Sequence, residues 1–295
     1  MEFIPCKSII SRTKNRSWFG SRYNMNIYRG CSHGCIYCDS RSECYQIEDF
    51  DRVRAKENAL VIIEKQLKGR LGKGVISTGA MSDPYNPFEK QYQLTRGALE
   101  LINKYRFGIG IATKSSLIQR DIDVLEQINK HSPVIIKMTV TTCDDALSKI
   151  VEPNVCPSSE RFKSIKMLSE AGIFCGLLMM PILPFIEDQE ENIVGIVRLA
   201  AENGANFIYP ALGMTLRQRQ REWYYDKLEE HFPHLKEKYQ RQYGYRYQCT
   251  STKVKKLWPI FVEECKKHGL LYKMPDIIKV YQSGYWQEEQ LSLFD

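Results

Sequence analysis

Residues 31–38 read Cys31-Ser-His-Gly-Cys35-Ile-Tyr-Cys38 and contain three of the ten cysteines in a chain of 295 residues. Thiolates are typical ligands of iron–sulfur clusters and of zinc. A structural zinc site needs four ligands, and the fourth could come from His33 or Cys44. Three cysteines on one short loop instead favour a [4Fe–4S] cluster in which one iron has no protein ligand. Gly30 and Gly34 suit either site, because glycine lets the chain wrap tightly.

Repeated strand–helix units surround this loop along the chain. Apolar runs typical of strands occur at Asn24–Tyr28, Gly74–Thr78, Phe107–Thr113, Pro133–Thr141, Ile173–Met180 and Asn206–Ala211. Helical periodicity occurs at Arg52–Lys68, Thr95–Tyr105, Arg120–Asn129, Ser159–Ala171 and Asp188–Asn203. This alternation predicts an α/β fold with parallel strands joined by right-handed crossovers. Six units are too few for an eight-stranded barrel, so either a partial barrel or an open doubly wound sheet fits.

The pattern changes near residue 212, where charged helix candidates at Thr215–His231 and Thr252–His268 replace the strand–helix units. We therefore predict four parts: a basic N-terminal segment (1–23), a barrel (24–211), a helical region (212–285) and a tail (286–295). In parallel sheets, ligands bind at the carboxyl ends of the strands. The unusual loops 29–39, 79–85 and 114–121 all follow predicted strands, so we expect the functional site at that end.

Composition narrows the class of protein. Apolar residues make up 43% of the chain, which excludes wholesale disorder. The longest apolar run is broken by Pro181 and Pro184 and is too short to span a membrane. The N-terminus lacks a signal-peptide pattern, so we predict a cytosolic protein with reduced thiols. The net charge of +7 is concentrated in residues 217–280, where 15 basic side chains accompany 8 acidic ones. That excess is compatible with a polyanionic partner.

The CxxxCxΦC spacing resembles the radical S-adenosylmethionine (SAM) superfamily. A narrower resemblance, to the spore photoproduct lyase family, covers roughly residues 24–210. It rests on matches that occur in order: Tyr28–Cys38, Ser82-Asp-Pro-Tyr85 with Glu89, Leu94-Thr-Arg96, Thr113-Lys114, Arg120-Asp121, Glu152-Pro153 with Arg161, and Gly176 to Pro181. The resemblance implies a partial (β/α)6 TIM-type barrel with a mainly helical C-terminal extension.

The resemblance also implies an enzyme with a [4Fe–4S] cluster, SAM and an external electron donor. Reductive cleavage of SAM would give methionine and a 5′-deoxyadenosyl radical, which abstracts a hydrogen atom from the substrate. Members of the family proper split a thymine dimer in DNA.

Individual residues match roles known in that family. Cys31, Cys35 and Cys38 match the cluster ligands. Lys114 matches a lysine that contacts the SAM carboxylate, and an ammonium suits that charge. Three further residues match positions near SAM or the cluster: Tyr37, Ser82 and Thr139. Three more are candidate substrate contacts, although an Asp-Pro pair is also an ordinary turn signal: Asp83, Tyr85 and Glu89.

One mismatch concerns the hydrogen donor. In the thymine-dimer enzyme a cysteine just before the Ser-Asp pair returns a hydrogen atom to the product radical. Here the matching position is Ala80, and neither Ala80 nor Met81 can donate a thiol hydrogen. The aromatic expected after Cys38 is Asp39. Cys143, at the end of the fourth predicted strand, is a candidate replacement donor, whereas its alternative role is that of a small buried residue.

The chain ends in Gln290-Leu-Ser-Leu-Phe294-Asp295. This tail resembles the short peptide by which bacterial repair and replication proteins bind the DNA sliding clamp. Gln290, Leu291, Leu293 and Phe294 would then contact the clamp, while the alternative is an amphipathic end packed on its own domain. Aromatic residues interleave with basic ones in 217–280, a composition that suits nucleic acid or, alternatively, a solvated helix with its aromatics in the core.

Three functions remain open from the sequence. The first is a radical SAM enzyme acting on DNA and recruited by the tail. The second keeps this chemistry but acts on RNA, a peptide or a small metabolite, which the missing thiol donor favours. The third is a non-enzymatic DNA- or clamp-binding protein with a structural metal site.

Overall fold

The structure is a computed structural model that describes residues 1–69 and 71–285. Its strands are β1 (Glu2–Ile4), β2 (Ile10–Arg12), β3 (Tyr23–Met25), β4 (Tyr28–Arg29), β5 (Arg54–Lys56), β6 (Val75–Thr78), β7 (Gly108–Thr113), β8 (Val134–Thr139), β9 (Cys175–Met179), β10 (Phe207–Pro210), β11 (Gly213–Thr215) and β12 (Gln248–Thr250). Its α-helices are α1 (Ala59–Lys68), α2 (Glu89–Tyr92), α3 (Leu94–Lys104), α4 (Ile122–Asn129), α5 (Asp145–Val151), α6 (Ser158–Glu170), α7 (Glu190–Glu202), α8 (Gln220–His231), α9 (Leu235–Tyr243), α10 (Val254–Lys267) and α11 (Met274–Gln282).

The central sheet has seven strands in the order β10-β9-β8-β7-β6-β3-β2. Six of them pair in parallel and coincide with the six predicted strands, while β2 is added antiparallel to β3. All six residues of β8 are buried, as expected for a strand covered on both faces. The prediction of a partial α/β barrel with a mainly helical C-terminal extension is therefore confirmed.

Two predicted helices begin later than expected. The first, predicted from Arg52, begins at Ala59 because Arg54–Lys56 forms β5 between β1 and β4. The second, predicted from Thr215, begins at Gln220 because Gly213–Thr215 pairs with β12. In both places, pairing with a distant strand outweighs the local helical pattern. The local sequence carries no information about such distant pairing.

The two terminal segments pack closely on the barrel. Phe19, from the N-terminal segment, is fully buried in a cluster with Ile135 of β8, Phe207 of β10, and Ile277 and Tyr281 of α11. In addition, α10 packs on α7. Contacts thus join the segments on either side of the predicted boundaries after residues 23 and 211. The boundaries themselves remain predictions from the sequence. Across the described ranges, the helices are too short or too polar to traverse a lipid bilayer.

Candidate functional site

A cavity of about 700 Å³ opens at the carboxyl ends of the parallel strands. Strand residues on its walls include Ser77 of β6, Lys137 and Thr139 of β8, and Leu178 of β9. Loop residues include Tyr37, Cys38, Ala80 and Lys114, and the C-terminal region contributes residues from β11, β12 and α10. The cavity therefore lies at the end of the sheet where the loops predicted a site.

The cysteine loop is held in place by backbone contacts. Cys31 N–H donates to Phe50 O at 2.8 Å, and Ile36 N–H donates to Val151 O at 3.0 Å. Gly30 has a φ of +81°, and a Cβ there would lie 2.5 Å from a carbonyl oxygen of Arg52. A larger residue cannot occupy this position without moving the loop, which explains the need for glycine beside the first cysteine.

The three thiols lie close enough to affect one another. Burial raises the pKa of Cys35 well above its ordinary value, and the nearby sulfurs of Cys38 and Cys31 raise it further. Burial would also raise the pKa of Cys31, but a hydrogen bond with His33 lowers it. Buried thiols of this kind lose their protons when a highly charged cationic group binds them and stabilises the thiolates.

The arrangement fits a cluster better than a single ion. Among the described residues, no three His, Cys, Asp or Glu side chains converge on one point as a zinc ion requires. A [4Fe–4S] cluster takes each thiolate at a different iron, so its ligands surround a volume and do not meet at a point. Cys44, a candidate fourth zinc ligand, is exposed, and its Sγ lies 3.0 Å from Nη1 of Arg217. The zinc alternative therefore loses Cys44 as a fourth ligand, while His33, the other candidate, hydrogen-bonds Cys31 and lies 3.7 Å from the carboxylate of Asp83.

Lys114 brings a positive charge to this loop. Burial alone would lower its pKa, but the sulfurs of Cys35 and Cys38 and the carboxylate of Glu152 outweigh burial and raise it. Its Nζ lies 5.6 Å from the centre of the Tyr37 ring. Lys114, Tyr37, Cys38 and Thr139 all line the cavity, so the structure brings together four of the residues predicted to hold cofactors.

A buried ion pair supports this wall. Arg161 Nη1 lies 2.5 Å from Oε2 of Glu152, and both side chains are fully buried. Tyr37 donates its hydroxyl hydrogen to Glu152, while Arg161 donates to the carbonyl of Thr139 at 2.9 Å. The pair thus connects the aromatic residue of the cysteine loop to the end of β8.

Ser82 and Asp83 do not line the cavity. The Ser82 hydroxyl donates to Gly30 O at 2.5 Å and so supports the cysteine loop from behind. Asp83 accepts hydrogen bonds from the Thr113 hydroxyl at 2.7 Å and from the Lys114 amide at 2.8 Å. The structure therefore gives Asp83 a role in positioning Lys114, which differs from the predicted contact with substrate.

Tyr85 and Glu89 are also buried away from the cavity. Glu89 accepts hydrogen bonds from the Tyr28 hydroxyl, the Thr95 amide at 2.7 Å and Arg120 at 3.1 Å. Burial raises the pKa of Tyr85 well above its ordinary value. These contacts hold the loop after β6 in place, so neither residue is positioned to bind a substrate inside the barrel.

The predicted hydrogen donor, Cys143, also lies outside the cavity lining. Ala80 does line the cavity, so the thiol missing from the sequence is missing from the cavity wall. Cys143 does not line it: a Cβ at Gly195 of α7 would lie 2.7 Å from the Cys143 sulfur, which places that thiol against the helix. Within the described residues, Cys38 is the one cysteine on the cavity wall.

Sequence reasoning missed two features of the cavity. Lys137 lies in the middle of β8, with its side chain fully buried in the cavity floor. The signal was a single lysine in the apolar run Val134–Thr139, two residues before Thr139 and hence on the same face of the strand. Trp18 and Trp258 lie at the rim, and more than two fifths of each side chain is exposed.

The aromatics of the C-terminal region divide into two groups. Four tyrosines are buried together, in the core role that was the alternative to nucleic-acid binding: Tyr224, Tyr225, Tyr239 and Tyr243. Tyr245 is 96% exposed, and Tyr247 is partly exposed. The predicted clamp residues Gln290, Leu291, Leu293 and Phe294 lie outside the described residues.

Comparisons with known proteins support the family suggested by the sequence. Residues 25–197 match the sequence model of the radical SAM superfamily. An uncharacterized protein of Mycobacterium tuberculosis is 27% identical over 247 residues, which cover 81% of this chain and 72% of that protein. An uncharacterized protein of Methanocaldococcus jannaschii is 32% identical over 191 residues, covering 63% of this chain and 69% of that protein.

Solved structures share the fold at low sequence identity. Spore photoproduct lyase complexed with dinucleoside spore photoproduct superposes with a TM-score of 0.66 at 14% identity, covering 91% of this chain and 80% of that one. The radical SAM methyltransferase TsrM from Kitasatospora setae, with tryptophan substrate and a SAM analogue bound, gives a TM-score of 0.57 at 12% identity, covering 92% and 61%. At these identities the likeness concerns the fold alone.

Proposed function

The chain belongs to the radical SAM superfamily, and we propose that it applies this chemistry to DNA. Membership makes it an enzyme whose cofactors are a [4Fe–4S] cluster and SAM, with electrons supplied by an external donor. Cys31, Cys35 and Cys38 would hold the cluster, which would supply the reducing power for cleavage of SAM to a radical able to abstract a hydrogen atom. The hypothesis of a non-enzymatic protein with a structural metal is therefore set aside.

We assign the cofactor contacts from the geometry of the cavity. The thiolates of Cys31, Cys35 and Cys38 hold the cluster, because they lie near one another on one loop that backbone hydrogen bonds fix in place. Lys114, beside Cys38 in the cavity wall, is in position to bind the SAM carboxylate. Tyr37 and Thr139 then line the space between the cluster and the barrel interior, while Ser82 acts indirectly by supporting Gly30.

The observation that carries the nucleic-acid assignment is the rim of the cavity. Trp18 and Trp258 are exposed there, at 42% and 44%, and lie in the two basic terminal regions. Exposed basic residues accompany each: Lys14 and Arg16 near the first, Lys255 near the second. Aromatic faces that stack on bases, next to cations that contact phosphates, are the usual means of binding single-stranded nucleic acid.

The chemistry requires an exposed base. A base inside a duplex is shielded by its neighbours, so enzymes that modify bases take them out of the stack. A cavity of about 700 Å³ beneath two exposed tryptophans suits an unstacked nucleotide. The shared fold of spore photoproduct lyase complexed with dinucleoside spore photoproduct adds support to this proposal.

A second candidate function keeps the radical chemistry but takes RNA, a peptide or a small metabolite as substrate. The observation in its favour is Ala80, which lines the cavity where the spore photoproduct lyase family has a thiol donor. A different way of quenching the product radical would accompany a different substrate.

The substrate class is tested with anaerobically reconstituted protein, SAM and a reductant. Deuterated single-stranded and duplex DNA, RNA and free nucleotides are supplied separately, and deuterium is measured in 5′-deoxyadenosine. We expect transfer from DNA. Transfer from RNA alone, or from none of the nucleic acids while SAM is still cleaved, contradicts the DNA assignment.

Binding is tested independently of turnover by the double variant Trp18→Ala/Trp258→Ala. Loss of two stacking faces should weaken single-stranded DNA binding at least about tenfold, since each stack is worth about 1–3 kcal/mol. Phe3→Ala is the matched control, because Phe3 is exposed to a similar extent on β1 and does not line the cavity. Equal affinities of the double variant and the control count against the rim as the DNA-binding surface.

For recruitment, we propose that Gln290, Leu291, Leu293 and Phe294 bind the sliding clamp. A peptide of this kind needs an apolar pair for a pocket and a glutamine for hydrogen bonding. Pull-down on the purified clamp should succeed with the full chain and fail after removal of the last six residues. Leu293→Ala/Phe294→Ala should fail equally, whereas Ser292→Ala should bind normally. Retention of binding by the truncated chain removes the tail from the proposal.

A further inference from the structure

Lys137 is a buried lysine at the floor of the cavity. It lies two residues before Thr139 on β8, so its Cα is roughly 6–7 Å further into the barrel along the strand. Its side chain is about 1% exposed, yet it belongs to the cavity wall. Phe19, Ile135 and Phe207 belong to one apolar core cluster and lie outside the cavity lining. The Phe19 ring of this cluster contacts Lys137.

The neighbouring strands leave room for this ammonium group. On β7, a Cβ at Gly110 would lie 3.1 Å from Nζ of Lys137 and 3.0 Å from Oγ of Ser77. The absence of a side chain at Gly110 therefore lets Lys137 and Ser77 approach each other from two strands. The Ser77 hydroxyl in turn shares a hydrogen bond with the Ser21 hydroxyl. The Lys137 ammonium and the Ser77 hydroxyl thus border the same space beside Gly110, and both residues line the cavity.

The ammonium has no anionic partner in the protein. Within residues 1–69 and 71–285, no carboxylate lies within ion-pairing distance of Lys137, and its Nζ makes no hydrogen bond there. Its Nζ makes a cation–π contact with the Phe19 ring, whose centre lies 5.0 Å away. A buried cation is normally paired, so an unpaired one that faces a cavity indicates that a ligand supplies the partner.

We propose that Lys137, with Ser77 beside it, binds a negatively charged oxygen group of the substrate, a phosphate or a carboxylate. The inference goes beyond the nucleic-acid proposal, because it holds for any substrate that carries such a group. It also differs from the SAM contact assigned to Lys114, which lies on the loop after β7 at the cysteine end of the cavity. The two lysines would hold the anionic groups of two different ligands.

The alternative is a lysine retained for structure alone. A structural lysine at this depth would be expected to pair with a carboxylate or to extend its amine to solvent. Within the described residues Lys137 has no carboxylate partner, and its side chain lines the cavity and does not reach the outer surface. Burial lowers its pKa to about 7, with no charged neighbour contributing, which is the condition that a bound anion would reverse.

The test uses cluster-loaded protein saturated with SAM and without reductant, so that the SAM carboxylate is already in place. Sulfate, as a phosphate mimic, and acetate are titrated separately at constant ionic strength, and affinities are taken from thermal unfolding midpoints. Wild type is compared with Lys137→Met and Lys137→Gln. Lys163→Met is the matched control, because Lys163 is an exposed lysine paired with Glu160 on α6.

At about pH 7, wild type and the control should bind sulfate, acetate or both at least about tenfold more tightly than either Lys137 variant, since a hydrogen bond to a charged group is worth about 1.5–3 kcal/mol. Sulfate binding alone identifies a phosphate as the group, and acetate binding alone identifies a carboxylate. The wild-type protein gives a readout that needs no variant: affinity should fall as the pH rises from about 7 to about 9, because Lys137 loses its proton while both probes keep their charge. Affinities equal in all proteins, or the absence of saturable binding by wild type, overturn the proposal.

Discussion

Replacement of Lys137 by methionine should make the folded protein more stable. In the unfolded chain the pKa of a lysine is about 10.5, whereas burial without a charged partner lowers it to about 7 in the fold. Methionine has a similar length and fills the same space above the Phe19 ring without carrying a charge. The substitution therefore removes the cost of burying the ammonium and leaves the packing in place.

The magnitude and its pH dependence follow from the difference between the two pKa values. Each pH unit of difference corresponds to about 1.4 kcal/mol, so below about pH 7 the buried ammonium costs about 4–5 kcal/mol of unfolding free energy. Between about pH 7 and pH 10.5 the unfolded state binds more protons than the folded state, so the stability of wild type rises with pH. By about pH 9 the cost has fallen to about 2 kcal/mol. The cation–π contact with Phe19 reduces the gain of the variant by about 1 kcal/mol.

The assay is anaerobic urea unfolding of the cluster-loaded protein at several pH values between about 6 and 9, in buffers free of phosphate and carboxylate. Lys137→Met should exceed wild type by about 3–4 kcal/mol at the acidic end, and the difference should shrink by about 2 kcal/mol towards the alkaline end. Lys163→Met should follow wild type throughout. A destabilised Lys137→Met protein, or a difference that does not change with pH, would refute the reasoning, because either result means that the ammonium has a partner in the fold.

Three further changes test the walls of the site. Cys31→Ser should leave the fold intact but abolish the broad visible absorption and reduce the bound iron of reconstituted protein; full iron content would remove Cys31 from the ligand set. Gly79→Ala should lower the free energy of unfolding by about 3 kcal/mol or more. The reason is that Gly79 has a φ of +94° and that a Cβ there would lie 1.9 Å from a carbonyl oxygen of β7. A variant as stable as wild type would show that the loop relaxes around the added methyl group. Arg161→Met should cost about 3–5 kcal/mol by leaving Glu152 buried without its partner, measured by urea unfolding, whereas Glu152→Gln/Arg161→Met should recover part of the loss.

The sequence predicted the barrel well because its signals are local. Each of the six parallel strands is a short apolar run between helical segments, and all six lie in the central sheet in the expected role. The strands that were missed depend on distant partners. Arg54–Lys56 becomes a strand because β1 and β4 lie on either side of it, and Gly213–Thr215 because β12 pairs with it. No local pattern contains that information.

The residues predicted for the candidate site also fall into two groups, those that the structure places at the cavity and those that it does not. A motif on one loop predicted the three cysteines, and the resemblance to the spore photoproduct lyase family supplied Tyr37, Lys114 and Thr139. Tyr37, Cys38, Lys114 and Thr139 all line the cavity. Asp83 and Glu89 follow the same strand ends, but their carboxylates are used up by hydrogen bonds within the protein. Whether a polar residue faces a ligand or a neighbouring loop depends on the contacts it already makes, which the sequence does not give.

The absence of a thiol at Ala80 and the presence of Lys137 concern the same question, which is how the substrate is held while a radical exists on it. Among the described residues, Cys38 is the one cysteine on the cavity wall, and its proposed role as a cluster ligand would leave the cavity without a free thiol. The hydrogen atom that quenches the substrate radical would then come from another source, and a substrate that stays bound until that step keeps its radical inside the cavity. The proposed ionic contact with Lys137 would hold the substrate at a point separate from the exposed tryptophans and so lengthen its residence. Retention of the substrate would therefore offset the cost of the buried ammonium in stability. This retention matters more in a cavity that lacks a thiol donor.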